Sequence, residues 1–180
     1  VLHQFASLRG PLNADMARCM AIVDSWLPQV NAMRRTPQPL GELKIGLQCG
    51  GSDAFSGISG NPLVALVSKE VIQAGGSAVL AETDELIGAE SYVLDKVRDA
   101  ATAQRFLDVV ELLLEQAGRH GQSAHGNPSV GNIYRGLYNI YLKSLGAEAK
   151  RHRDVRLDGV LEYGQRMNRP GYYFMDSPGN

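Results

Sequence analysis

The stretch Leu43-Lys44-Ile45-Gly46-Leu47-Gln48-Cys49-Gly50-Gly51-Ser52-Asp53 decides the fold. Its first five residues alternate as a strand does, and a glycine-rich polar loop follows at once. Next, Asn61-Pro62 reads as a helix start, because Asn can cap and Pro suits a first turn. Leu63, Leu66, Val67 and Val71 are expected to form that helix's buried face, with Gly75-Gly76 ending it. Ser77-Ala78-Val79-Leu80-Ala81 is a second short apolar strand, followed by the acidic turn Glu82-Thr83-Asp84-Glu85 and another helix. Strand, helix and strand in that order imply a parallel pair with a right-handed crossover. Parallel sheets place ligands beyond the carboxyl ends of their strands, so the Cys49 loop and the Glu82 turn belong on one rim. The expected class is α/β: a short parallel sheet flanked by helices, in Rossmann-like layering, as part of a larger protein.

On the N-terminal side, Leu12, Met16, Cys19, Met20, Val23, Leu27 and Val30 recur at helical spacing. Asn13 is available as a cap, and Pro28 is expected to kink or divide the helix. Residues Arg34 to Pro39 read as an extended connector. The expected organisation is an N-terminal helical segment, 1–36, and an α/β domain, 37–180, carrying the Cys49 loop. On the C-terminal side, a helix is expected from Ala103 to Gly118, with a stripe of Phe106, Val109, Val110, Leu113, Leu114 and Ala117. A polar segment from His120 to Asn132 precedes a helix placing Ile133, Leu137, Ile140 and Tyr141 on one face. Tyr172 to Met175 reads as a strand, and Asp176 to Asn180 as a turn. A chain that opens on Val1 and stops after that turn is expected to be a fragment, lacking a C-terminal lobe of its parent.

At 180 residues, 44% hydrophobic and 21% charged, the chain suits a folded domain with a proper core. A balance of 18 Lys+Arg against 19 Asp+Glu gives a net charge of -1, which argues against nucleic acid as a partner. No apolar run suggests a membrane span and no signal-peptide layout opens the chain, so a cytoplasmic location is expected. Cys19 and Cys49, far apart in sequence, read as free thiols.

In the Cys49 to Gly57 loop, glycines permit close backbone approach while Cys, Ser and Asp supply one soft and several hard polar groups. The Lys-Ser/Thr pair of a phosphate-binding loop is missing, and the spacing fails the dinucleotide fingerprint. A Cys-His-Asn nucleophilic site drawing on His120, His125 and Asn127 ranks low. Glu82, Glu85 and Glu90 could hold a hard divalent cation or act as acid and base. The bland alternative is that Asp84 and Glu85 only stabilise a helix start. The loop Asn127-Pro128-Ser129-Val130-Gly131-Asn132 is a third polar group, with His125 beside it. Lys150-Arg151-His152-Arg153 reads as a solvated basic turn without function.

Taken together, these loops resemble the altronate/galactarate dehydratase family of sugar-acid dehydratases, whose members include sulfolactate sulfo-lyases. The resemblance rests on Gly46 to Gly57, Asn61-Pro62, Glu82-Thr83, Gly88-Ala89-Glu90, Asn127-Pro128-Ser129, Gly131-Asn132, Lys143 to Ala147 and Phe174 to Gly179. It implies a lyase that removes water from a hexonic or hexaric acid to give a 2-keto-3-deoxy product, with a divalent metal, Fe2+ first and Mn2+ second. A metal chelated by the substrate carboxylate and 2-hydroxyl would acidify the C2 proton. The candidate catalytic residues are Asp53, Glu82 and Glu90; the candidate metal ligands are Cys49 and Glu85. Gly50, Gly51, Ser52, Ser56, Asn61, Asn132 and Arg135 are the candidates for substrate binding. Where many relatives continue with Lys-Ala-Gly-Gly, this chain has Ile133-Tyr134-Arg135-Gly136, so a basic contact is lost or passed to Arg135. The remaining lobes of the parent are expected partners, a homo-oligomer stays open, and the isolated fragment is expected to turn over little or no substrate. The other readings are the galactarate or sulfolactate branch, a non-catalytic sugar-acid binding domain, and a structural module.

Overall fold

The computed structural model describes residues 3–177, so Pro178 and Gly179 of the last matching stretch lie outside the described residues. The chain divides into two compact units between Gln38 and Pro39. In the first, α1 (Leu12–Ala32) is one helix that runs through Pro28, which costs it a single backbone hydrogen bond without dividing it. Pro11, with φ -57 and ψ 142, occupies the cap position, and Asn13 lies inside the helix. Asp15 serves this end instead: buried in the first turn, it accepts the Gly10 N–H at 3.0 Å and pairs with Arg18 at 2.6 Å.

The second unit is built on four strands, β1 (Lys44–Leu47), β2 (Ser77–Leu80), β3 (Leu157–Leu161) and β4 (Gly171–Met175), in the order β1-β2-β4-β3. Every pairing is parallel, so the expected α/β class with a short parallel sheet is the observed one. Residues 162–170 return the chain from β3 to β4 without a helix, and they are tied to the starts of β1 and β2. Lys44 Nζ donates to the Met167 carbonyl at 3.3 Å and Ser77 Oγ to the Arg169 carbonyl at 3.1 Å. The opposite rim, where β1 and β2 end, is left to the functional loops.

Between β1 and β2 the chain forms α2 (Ala54–Ile58) and α3 (Gly60–Gln73). The buried face of α3 is Ala65, Ser68 and Val71 with Val64 and Ile72 beside it, whereas Leu63, Leu66 and Val67 face outward. Small residues let the helix axis approach the sheet, and size alone misidentified the face. Ser59, not Asn61, is at the cap position; Asn61 lies inside α3 and donates to the Gly146 carbonyl at 2.6 Å.

After β2 come a 3-10 turn (Thr83–Leu86), α4 (Glu90–Leu94) and α5 (Ala100–Arg119). Helix α5 begins ahead of the expected Ala103 because Asp99 caps it, accepting the Thr102 N–H at 2.8 Å and the Thr102 hydroxyl at 2.7 Å. Phe106, Val109 and Val110 are buried, while Leu114 is exposed. Phe106 meets Phe174 edge-on, with ring centroids 5.3 Å apart, in the main core shared with Ala78, Leu80, Leu157 and Tyr172. The reverse face carries a smaller cluster of Val79, Leu161 and Tyr173, packed against Met167 and Met175.

The single helix expected over Ile133 to Tyr141 is instead two, α6 (Val130–Tyr134) and α7 (Ile140–Glu148). Gly136, at φ 94, breaks them apart, and Asn139 caps the second by accepting the Leu142 N–H at 3.0 Å. Leu137 and Ile140 are buried, whereas Ile133 and Tyr141 are exposed.

Asp99 provides a pH test. Hydrogen bonds from Arg98 and Thr102 hold its carboxyl well below the ordinary value of 3.8. A depressed folded-state value favours folding above the unfolded pKa, and that contribution is lost as pH falls through 3.8 toward the folded one. Asp99→Ala is therefore expected to lower the melting temperature at pH 7, with the gap to the unsubstituted protein closing in melts carried below pH ~4.

Candidate functional site

The site forms where β1 and β2 end. Beyond Leu80 the chain turns at Glu82, whose φ of 76 makes it the only described residue other than glycine with positive φ. Such a backbone costs about 1–3 kcal/mol and persists only when its surroundings over-determine it. Here they do. The Glu82 N–H donates to Ser177 Oγ at 2.7 Å, the Thr83 N–H to the Ser177 carbonyl at 3.1 Å, and Thr83 Oγ1 to Asp176 Oδ1 at 2.8 Å. The segment following β4 thus pins the turn that carries the carboxylates.

Glu82 is 1% exposed, and its carboxylate accepts the Cys49 N–H at 2.9 Å and the Gln48 side-chain amide at 3.2 Å. The expected sharing of one rim by the Cys49 loop and the Glu82 turn is therefore observed. Between them opens a cavity of about 370 Å³, lined by Cys49, Gly50, Gly51, Glu82, Asp84, Glu85, Asn127, Ser129, Asn132 and Lys143. Cys49 Sγ lies 2.8 Å from Ser52 Oγ and accepts the Gly51 N–H at 3.4 Å. Both cysteines are free thiols.

Glu85 does more than stabilise a helix start. It is 2% exposed and pairs with Lys143 Nζ at 2.9 Å and Lys150 Nζ at 3.9 Å, both of them buried lysines. Lys143 also donates to Asn127 Oδ1 at 2.7 Å, and the Asn127 amide donates to Asp84 Oδ2. Asp84 Oδ1 and Glu85 Oε2 are buried without hydrogen-bond partners. Burial raises the Asp84 carboxyl above the ordinary carboxylate value, reinforced by the charges of Glu85 and Glu82.

Ligand atoms of Cys49, Glu82 and Glu85 all lie within 4.8 Å of one another. One soft sulfur and two carboxylates at that spacing suit a transition-metal ion. Glu85 Oε2 accepts no hydrogen bond and lies 3.9 Å from Lys150 Nζ, which leaves it open to a metal, so these residues fit a divalent cation.

Cys49, Gly50, Gly51, Glu82, Glu85 and Asn132 are brought together at this cavity. Asn132 also donates to the Ser52 carbonyl at 2.7 Å, holding the two loops against each other. Ser52 adjoins the cavity through Cys49 and Asn132, while Asp53, Ser56, Asn61, Glu90 and Arg135 stand apart from it. Asp53 and Ser56 form a capping box at the start of α2, with Asp53 Oδ1 accepting the Ser56 N–H at 2.6 Å. Glu90 lines a second cavity with His125 and Tyr141, and its carboxylate accepts the Gly88 N–H at 2.8 Å. Arg135 is exposed, and its carbonyl accepts the Ala54 N–H at 3.0 Å. Among the described residues no histidine lines the Cys49 cavity.

Sequence reasoning brought the Glu82 turn and the Asn127 loop to the site without giving Asp84 or Asn127 a role of its own, and missed Lys143 and Lys150 as members of it. The basic run 150–153 is not a uniformly solvated turn. Lys150 is buried, and the largely buried Arg151 side chain bonds Glu148 and the carbonyls of Tyr92, Lys96 and Val155. A signal for Lys143 did exist. It falls three residues after Ile140 and four before Ala147, on the buried stripe of α7.

A parallel sheet carrying a polar, carboxylate-lined cavity at its strand ends defines an α/β protein with its candidate site on the carboxyl rim of the sheet. The family model described as D-galactarate/Altronate dehydratase, C-terminal, matches residues 40–180. The chain belongs to this family. It is 42% identical over 153 residues to the altronate dehydratase of Escherichia coli (strain K12), covering 83% of this chain and 31% of that protein. Against the galactarate dehydratase (L-threo-forming) of Escherichia coli (strain K12) it is 31% identical over 159 residues, 88% of this chain and 30% of that protein. Against the (2R)-sulfolactate sulfo-lyase subunit beta of Chromohalobacter salexigens it is 33% identical over 154 residues, 84% of this chain and 40% of that protein. The chain thus spans between 30% and 40% of the length of these relatives. Among the described residues no helix is long and apolar enough to cross a membrane.

Proposed function

We propose that the cavity between the Cys49 loop and the Glu82 turn is the metal-dependent part of a hydro-lyase site. Its substrate is a hexonic or hexaric acid such as altronate, dehydrated to a 2-keto-3-deoxy acid in the cytoplasm. The observation that carries this is the convergence of the Cys49, Glu82 and Glu85 donor atoms within 4.8 Å of one another. Fe2+ or Mn2+ held there would polarise the acid's carboxylate and 2-hydroxyl and make the C2 proton easier to remove. The chain's own residues do the rest. Gly50 and Gly51 allow a ligand close to the backbone, Asn127, Ser129 and Asn132 offer hydrogen bonds to hydroxyls, and Asp84 on the same wall is placed for proton transfer.

Glu82→Gln is expected to weaken Mn2+ binding at least about tenfold, since even groups that only support a metal ligand are worth about 10–100-fold. Titration calorimetry measures this, and unchanged affinity would remove Glu82 from the ligand set. The activity test is dehydration of altronate, galactarate and sulfolactate by a polypeptide of the relatives' length carrying this chain, with Fe2+ or Mn2+ added. Conversion of altronate with release of water supports the reading, and sulfite release from sulfolactate moves the protein to the sulfo-lyase branch. Binding of all three without conversion makes this a sugar-acid binding domain instead.

A further inference from the structure

The cavity holds a cation of its own. Lys143 is 8% exposed, and α7 fixes its stem between core positions so that the ammonium stands on the cavity wall. It donates to Asn127 Oδ1 at 2.7 Å and is ion-paired with Glu85 Oε1 at 2.9 Å, so at least one of its three N–H donors has no acceptor among the described residues. A buried ammonium requires a counter-charge, and Glu85 is shared between Lys143 and Lys150.

We propose that Lys143 receives the carboxylate of the hydroxy acid, and that a divalent cation on Glu85 favours this by taking up the charge that otherwise neutralises Lys143, so that metal and acid bind cooperatively. This rests on the metal-dependent reading above. The charges of Glu82, Glu85, Lys143 and Lys150 cancel. A divalent cation adds two positive charges, or one net where the Cys49 thiol gives up its proton to ligate it, and each acid carboxylate returns one negative charge. These increments hold in either protonation state of Asp84. Without metal, Lys143 is already neutralised and an incoming carboxylate meets no unbalanced charge. With metal on Glu85, Lys143 is left short of a counter-ion, and an acid carboxylate supplies it. Because coupling between two ligands is reciprocal, the acid must then tighten the metal by the same factor. A polyol without carboxylates cannot.

The test is Mn2+ titration of the protein followed by the electron paramagnetic resonance of free Mn2+, corrected for galactarate's own Mn2+ complex. Galactarate is expected to tighten Mn2+ binding about tenfold, and galactitol less than about twofold. Lys143→Met is expected to bind Mn2+ alone at least as tightly as the unsubstituted protein, because a competitor for Glu85 has gone, while losing the galactarate effect. Lys143→Gln keeps a hydrogen bond in place and gives the same reading if circular dichroism shows that the Met variant does not fold. The proposal is overturned if galactitol matches galactarate, if either variant retains the galactarate effect, or if both bind Mn2+ alone more weakly. Mn2+ binding that ignores Glu85→Gln overturns the metal reading itself. Glu85-dependent binding with the galactarate effect intact in the Lys143 variants overturns this inference alone.

Discussion

Glu85→Ala is expected to destabilise the second unit by about 3–5 kcal/mol, the range for removing one partner of a buried ion pair. Its carboxylate sits between Lys143 at 2.9 Å and Lys150 at 3.9 Å, with all three side chains almost wholly enclosed. Truncation leaves two buried ammonium groups facing each other, with Asn127 Oδ1 as the remaining acceptor for Lys143. Lys143→Met should cost less, because Glu85 keeps Lys150 as a counter-ion. Combining the two substitutions should cost less than their sum, since the second removes one of the charges stranded by the first. Urea denaturation of the three variants checks this, and strict additivity would mean that Lys143 and Glu85 do not interact. Against a total stability of about 5–15 kcal/mol, the single Glu85 substitution removes a large share.

Phe106→Ala is expected to cost a further independent loss of about 3–5 kcal/mol, as for other large-to-small changes at buried aromatic positions. The ring is 0% exposed and stands edge-on to Phe174 of β4. Its removal opens a void between α5 and the strand whose following residues hold Glu82 in its strained backbone. The denaturation midpoint should fall with little change in slope. Mn2+ binding should weaken as well, although Phe106 does not line the cavity. Retention of full stability would mean that the α5 face is not part of the core.

Much of this architecture was legible. The alternation of Leu43 to Leu47, the glycine loop and the apolar Ser77 to Ala81 located β1, β2 and their common rim, because period-two patterning and chain direction constrain a parallel pair strongly. β3 was not read as a strand, since Asp158 and Gly159 interrupt its apolar run and only Leu157 and Leu161 at its ends are buried. On α3 the sequence pointed to the larger residues, while the sheet accepts Ala65 and Ser68. At the site, Cys49, Glu82 and Glu85 could be named from motif and position. Lys143 carried a signal in its place on the α7 stripe, but Lys150 could not be separated from ordinary surface charge, because a lysine's burial depends on a counter-ion contributed by a different element. Asp53 illustrates the converse: an acidic residue in a promising loop whose carboxylate is spent on a helix cap.

The order of the strands bears on how the protein is made. β4 is the last of these four strands to leave the ribosome yet occupies an interior place in the sheet, between β2 and β3. Until it emerges, β2 and β3 each present an unpaired edge, and the nascent chain carries two open templates for wrong pairing. The Glu82 backbone also lacks its Ser177 partners until then. Competence to hold a ligand is therefore acquired only once β4 and Ser177 have emerged, in the same step that removes those open edges.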